Sequence, residues 1–183
     1  MCDLIFLIGY RGVGKTTIGR HLAQSLNWAF VDTDDLIVRR QETTITAIVE
    51  EGGWQEFRRL EQKVLNSLAG SRRKVVATGG GAVLHRQVWQ HLRRRGTVFW
   101  LTAATEIILH RLGADPVTGT QRPPLAGRSP GEELAAVLEK RLPLYEKTAH
   151  YRIDTSSLSE DAVVKRLRDI LAREHAIDRK SSL

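Results

Sequence analysis

The spacing G-x-x-x-x-G-K-[ST], met by Gly9, Gly14, Lys15 and Thr16, limits what this chain can fold into more than any other feature. An apolar run, Leu4-Ile5-Phe6-Leu7-Ile8, leads into it. The run that leaves it carries Ile18, Leu22, Ala23 and Leu26 at helical spacing. A strand, a glycine turn and a helix in that order turn successive backbone N–H groups inward at the positive end of a helix dipole, which makes a cradle for phosphate. Lys15 then neutralises β- and γ-phosphates, and Thr16 offers the small hydroxyl that ligates Mg²⁺, an ion that takes oxygen ligands and keeps several waters. Gly12, Val13, Gly14, Lys15, Thr16 and Thr17 are the expected nucleotide contacts.

Beyond this P-loop, short β-type runs alternate with longer helical ones. Strands are expected over 4–8, 29–31, 75–77, 98–101 and 151–153, and helices over 15–26, 54–68, 86–94, 132–142 and 160–173. The rhythm predicts a parallel sheet with right-handed crossovers and helices on both faces, whose strands are apolar throughout. The first, third and fourth runs meet that demand. A chain of 183 residues is the size of one compact domain. From Gly113 to Gly131 the rhythm breaks: Pro116, Gly119, Pro123, Pro124, Gly127 and Pro130 leave little to bury. Long loops of this kind are commonly active-site lids, so a lid is expected over about 112–130. The last residues, about 174–183, mix charges without apolar periodicity, and a basic, frayed tail is expected there.

Several function classes drop out. An apolar run of five residues without a basic flank neither spans a bilayer nor serves as a secretory signal, so no membrane partner is expected. Cys2 stands alone, which rules out an internal disulfide and fits a reducing, cytoplasmic setting. The net charge of +7 invites nucleic acid. The basic runs Arg72-Arg73-Lys74 and Arg93-Arg94-Arg95, however, fall at the ends of expected helices, where cations oppose the negative end of the dipole. No nucleic-acid partner is expected, and the chain is expected to be a monomer. A guanine-reading Asn-Lys-x-Asp segment is absent, because Asn27 and Asn66 are followed by Trp28 and Ser67.

At the end of the second strand, Val31-Asp32-Thr33-Asp34-Asp35 puts carboxylates at the C-terminal edge of the sheet, where open α/β folds bind ligands. In extended chain Asp32 and Asp34 point to one side, so that one can hold magnesium through water while the other meets a substrate hydroxyl. Asp32 or Thr33 also suits the N-cap of a following helix.

Six segments come in one order between Leu4 and about Leu171: the P-loop, Asp32-Thr33-Asp34, Phe57-Arg58-Arg59-x-Glu61, Thr78-Gly79-Gly80-Gly81, Arg122-Pro123-Pro124-Leu125 and Arg141-Leu142-Pro143-Leu144-Tyr145. Together they resemble the shikimate kinase family. The resemblance implies a three-layer α/β/α fold of P-loop NTPase type, with a five-stranded parallel sheet in the order 2-3-1-4-5, forming one kinase domain over 1–183. It implies transfer of the γ-phosphoryl of ATP to the 3-hydroxyl of shikimate, giving 3-phosphoshikimate on the route to chorismate and the aromatic amino acids. Mg²⁺ is the implied cofactor, held by Thr16 directly and by Asp32 through water. Lys15, Asp34 and Arg122 take the catalytic roles; Asp34, Arg58, Gly79, Gly80, Gly81 and Arg141 bind shikimate; Arg111 and Arg122, with the loop Asp154-Thr155-Ser156, reach the nucleotide.

The residue types suit these tasks. Guanidinium forks pair with a carboxylate in bidentate fashion, glycines let backbone N–H groups approach a ligand, and an aspartate orients a reacting hydroxyl. Arg122 in a lid would spread the charge of the transferred group as an arginine finger does. A plainer role for Arg58 is a helix-surface ion pair with Glu61, three positions on. Trp28, Trp89 and Trp100 are expected in the core, and Trp54 near Phe57 at the acceptor pocket. Arg11 stands in the cradle where smaller residues are frequent in the family, and Val49 replaces a frequent aromatic. A related small-metabolite kinase, such as a gluconate kinase, and a regulatory nucleotide-binding module are the competing functions.

Overall fold

Each strand of the sheet runs parallel to its neighbours, in the order β2-β3-β1-β4-β5. The computed structural model describes residues 3–114 and 129–180. In chain order these form β1 (Leu4–Ile8), α1 (Lys15–Leu26), β2 (Ala29–Asp32), α2 (Thr33–Gln41), α3 (Ile45–Leu68) and β3 (Lys74–Ala77). There follow a 3₁₀ turn (Ala82–Leu84), α4 (Arg86–Leu92), β4 (Thr97–Thr102), α5 (Thr105–Ala114), α6 (Pro130–Thr148), β5 (Tyr151–Asp154) and α7 (Glu160–Lys180). This is the order that the resemblance implies.

Why β1, β3 and β4 are apolar throughout, and β2 and β5 are not, follows from the topology. The first three are central and covered on both faces, whereas β2 and β5 are the edges and are only partly buried. Side chains of β1 alternate between two layers. Leu4, Phe6 and Ile8 join α3, α4 and α6 in one core, with Trp89 and Trp100; Ile5 and Leu7 join α1 and α7 in the other, where Trp28 is partly buried. Trp89 meets Phe6 edge to face at 5.3 Å and donates its indole N–H to the Ala82 carbonyl at 2.8 Å. Trp89→Ala therefore removes a buried aromatic and one of the two donors to that carbonyl, which keeps only the His85 N–H at 3.2 Å. The expected loss is about 3–5 kcal/mol of unfolding free energy, measured by urea titration.

Five elements differ from the sequence expectation. Helix α3 begins at Ile45, because Gly53 (φ 68°, ψ 176°) breaks it into two arms and the expected 54–68 is the second. Helix α5 is additional, and α2, signalled in the sequence only by the cap at Asp32 or Thr33, runs over nine residues. Helix α6 runs through Pro143 to Thr148 instead of stopping before the proline. Proline removes one helical hydrogen bond, but the turn beyond it is held by Tyr145, which is buried and stacked on Trp100. Helix α7 continues past Arg173, since Glu174 accepts hydrogen bonds from Thr97 Oγ1 (2.9 Å) and the Tyr151 hydroxyl (3.0 Å). Among the described residues no helix is long and apolar enough to cross a membrane.

Candidate active site

The C-terminal ends of β1, β2 and β3 converge on the cradle. Gly14, at φ 90°, ends the turn and caps α1 from the left-handed region, a conformation that glycine enters without steric cost. Lys15 begins α1 and is nearly buried, its ammonium 2.7 Å from the Tyr10 carbonyl inside the turn. Gly12, Gly14, Lys15, Thr16 and Thr17 line one open cavity, together with Asp34, Gly80 and Arg111. Val13 is different: its side chain is packed in the core, so only its backbone faces the turn.

Asp32 closes β2 and caps α2, accepting from the Asp34 N–H at 3.0 Å through one oxygen, while its other oxygen accepts from Thr16 Oγ1 at 2.8 Å. The strand-type alternation expected for Asp32 and Asp34 therefore does not occur. Asp34 already lies in the first turn of α2, and the helical turn, not the pleat, brings it into the cavity. The N-cap read for Asp32 forms, and it leaves the second carboxylate oxygen on the Thr16 hydroxyl. Thr16 and Asp32 offer adjacent hard oxygen donors beside the cradle, a set that suits Mg²⁺ completed by water and phosphate oxygens. Among the described residues no three His, Cys, Asp or Glu side chains gather as a metal cage.

On the acceptor side, the loop after β3 carries Gly79, Gly80 and Gly81. Gly79 N–H is fixed by the buried Thr33 Oγ1 at 2.9 Å. A Cβ at Gly79 would lie 2.6 Å from Glu61 Oε1 and 2.7 Å from Asp34 Oδ1, so any side chain there collides with two carboxylates. The Arg58 guanidinium lies against Gly81 and over the rings of Phe57 and Trp54, at 5.3 and 5.6 Å. Arg141 Nη1 donates to the Gly80 carbonyl at 3.0 Å, and the Tyr145 hydroxyl donates to the same oxygen.

The Arg58–Glu61 pair forms, but not on the surface. Glu61 is fully buried, and its Oε2 also meets His85 Nε2 at 2.9 Å. Burial pushes the Glu61 carboxyl up, but the hydrogen bond from His85 and the charge of Arg58 outweigh it and hold the group below the ordinary carboxylate value. A charged Glu61 thus aims Arg58 at the glycine loop, and the two roles read for Arg58 are compatible. Burial pushes the Tyr145 hydroxyl up to about 12, with Arg141 opposing the rise, so the phenol stays a donor at neutral pH. Glu61 is read in the sequence only as a surface partner of Arg58, Tyr145 stands inside its segment without an assigned task, and nothing in the sequence signals His85.

Arg111, from α5, spans the nucleotide side. It donates to the Gly12 carbonyl (3.4 Å), to Thr155 Oγ1 (3.2 Å) and to the Thr155 carbonyl (3.0 Å). Asp154, Thr155 and Ser156 are therefore brought to the cradle from the end of β5. Arg122 lies outside the described residues, as does most of the expected lid; α5 occupies its first positions, through Ala114.

Comparison with known proteins agrees in extent and detail. The family model described as Shikimate kinase matches residues 11–172. Shikimate kinase 2 of Dickeya chrysanthemi is 46% identical over 156 residues, covering 85% of this chain and 89% of that one. Shikimate kinase 2 of Yersinia enterocolitica is 40% identical over 174 residues, covering 95% and 98%. Among solved structures, the shikimate kinase from Acinetobacter baumannii in complex with shikimate superposes with a TM-score of 0.87 at 35% identity, covering 95% of each chain. A gluconokinase from Sinorhizobium meliloti shares the fold alone, with a TM-score of 0.64 at 18% identity. From the cradle to the last helix, this chain belongs to the shikimate kinase family.

Proposed function

We propose that this chain transfers the γ-phosphoryl of ATP to the 3-hydroxyl of shikimate, on the route to chorismate, with the sheet edge dividing the work between two sides. On one side the cradle and Lys15 hold the phosphates, with Arg111 and the 154–156 loop toward the base. Thr16 directly, and Asp32 through water, would hold Mg²⁺, which when bound neutralises phosphate charge. On the other side Arg58 and Arg141 take the shikimate carboxylate as guanidinium forks, and the Gly79–Gly81 backbone approaches the ring. Asp34 accepts the hydrogen of the reacting hydroxyl and orients its oxygen in line with the γ-phosphorus. As that oxygen bonds to phosphorus, the bond to the bridging oxygen breaks and ADP leaves with the pair. Arg122 would close over the phosphates and exclude water.

The observation that carries this is the position of Asp34. It lines the same cavity as Lys15 and Thr16, yet its carboxylate lies beside Gly79, the loop that Arg58 and Arg141 flank. A coupled assay of ADP release with shikimate, gluconate, quinate and nucleoside monophosphates tests it. Shikimate is expected to be turned over best; equal or faster turnover of another acceptor overturns it. ADP release that ignores every acceptor would instead favour the regulatory module. The same proposal makes 1–183 a single cytoplasmic domain, active as a monomer and without a nucleic-acid partner, which sedimentation in the presence and absence of nucleic acid checks.

Arg141→Lys keeps the charge but loses the fork. The expected result is a KM for shikimate raised about tenfold, the value of one charged hydrogen bond, with kcat changed less. Steady-state kinetics at saturating ATP measures it, and an unchanged KM removes Arg141 from the carboxylate site.

A further inference from the structure

Arg11 and Glu133, 122 positions apart, meet in an ion pair of 3.1 Å. Glu133 is nearly buried, with 6% of its surface exposed, so its charge needs a partner. It is free for that partner because the neighbouring acid does the capping: Glu132 and Ser129 exchange hydrogen bonds at the start of α6. Arg11 reaches it from inside the phosphate cradle, where it lines the same cavity as Lys15. Its backbone nitrogen lies 3.4 Å from the point a Cβ would occupy on Gly80. Gly80 is also the residue on which Arg141 and Tyr145 of α6 converge.

Helix α6 is thus fastened to the sheet edge twice. Its first turn is tied to the cradle by Arg11, and, eight residues on, about 12 Å along the axis, Arg141 is tied to the acceptor loop. The cation at the first tie faces a cavity that receives phosphate. Charge arriving there acts on Arg11, and whatever moves or fixes Arg11 acts on Glu133 and hence on the helix that carries Arg141. In-line transfer needs both ligands placed closely, and about 1 Å of misplacement can cost 10²-fold in rate.

We propose that Arg11 and Glu133 are a positioning pair that couples phosphate in the cradle to the acceptor-binding helix, so that nucleotide tightens the grip on shikimate. The proposal rests on ATP occupying the cradle and shikimate the Gly79–Gly81 side. It gives Arg11, otherwise an unexplained cation in the turn, a task distinct from that of Lys15.

Calorimetry on the full chain tests it, with Kd for MgADP alone, for shikimate alone, and for shikimate at saturating MgADP. In the wild type MgADP is expected to tighten shikimate. In Arg11→Met and in Glu133→Gln that tightening falls by about fivefold or more, within the ordinary range for coupled sites, while Kd for shikimate alone changes by less than that factor, because Arg141 and Tyr145 still hold the helix to Gly80. The double variant loses no more than either single one, as for residues that act as a unit. Arg11→Lys, which keeps an ion pair, retains most of the tightening; if a neutral variant fails to fold, Arg11→Gln, which keeps a polar side chain without the charge, carries the test with the same expected loss. Wild-type tightening in the neutral variants, a double loss equal to the sum of the single ones, or no tightening in the wild type overturns the pair. A wild type that binds shikimate no better than gluconate would instead refute the proposed function.

Discussion

In Asp34→Asn, shikimate-dependent ADP release falls by about 10²–10⁴-fold, the range spanned by groups that accept or move a proton in the reaction, while MgADP binds as in the wild type. The asymmetry follows from where Asp34 sits. It is in the first turn of α2, its N–H held by Asp32, and it lines the wall of the cavity that the cradle shares with the Gly79 loop. The amide keeps the size and shape of the side chain, so Gly79 remains uncrowded and the loop keeps its path. What is lost is the negative oxygen that accepts the hydroxyl hydrogen, and an amide oxygen accepts it more weakly. Losing one negative charge near the positive end of α2 costs about 0.3–1 kcal/mol, too little to unfold the protein. The check combines steady-state rates with shikimate, calorimetry with MgADP, and a melting curve. Turnover within tenfold of the wild type would remove Asp34 from the reaction.

How much of this site was legible in the sequence depended on whether the physics was local. The cradle was legible because strand, turn and helix are contiguous, and Gly14 and Lys15 can be read without knowing what lies across the sheet. The sheet order came through resemblance, since nothing within a strand says which neighbour it pairs with. The short helix α2 escaped periodicity because only Thr33 and Ile37 of its nine residues are buried, and its start is written instead in the Asp32 cap. That omission misplaced Asp34 on a pleat. Pro143 suggested the end of a helix that tertiary packing of Tyr145 carries further. The acid network behind Arg58 was half legible: the three-residue spacing to Glu61 predicted the pair, but not that Glu61 would be buried beneath it. His85 and Glu133 were beyond reach, because each acquires meaning only from a partner distant in sequence, 24 positions away in one case and 122 in the other.

The second large effect concerns Lys15. In Lys15→Met, kcat with saturating shikimate is expected to fall by roughly 10²–10³, the cost of removing one preorganised donor from a site where charge develops. Methionine matches the length of the lysine stem and suits a nearly buried position, so the turn need not rearrange to receive it. The ammonium, however, is the charge that the turn holds at its centre, 2.7 Å from the Tyr10 carbonyl. A phosphate must be met by that charge while negative charge shifts toward the bridging oxygen, and backbone N–H groups alone carry only partial charge to meet it. Affinity for MgADP should fall as well, because ground-state phosphates use the same cation, and saturating MgADP should then protect the fold less against heat. Shikimate binding without nucleotide is expected to be unchanged, since Arg58, Arg141 and Gly79–Gly81 are anchored through Glu61, Thr33 and Tyr145 and not through Lys15. Rapid-quench transfer rates, thermal shifts with MgADP and calorimetry with shikimate separate the three. A variant that transfers phosphoryl within tenfold of the wild-type rate would mean that the backbone of the turn, not its lysine, carries the charge of the moving group.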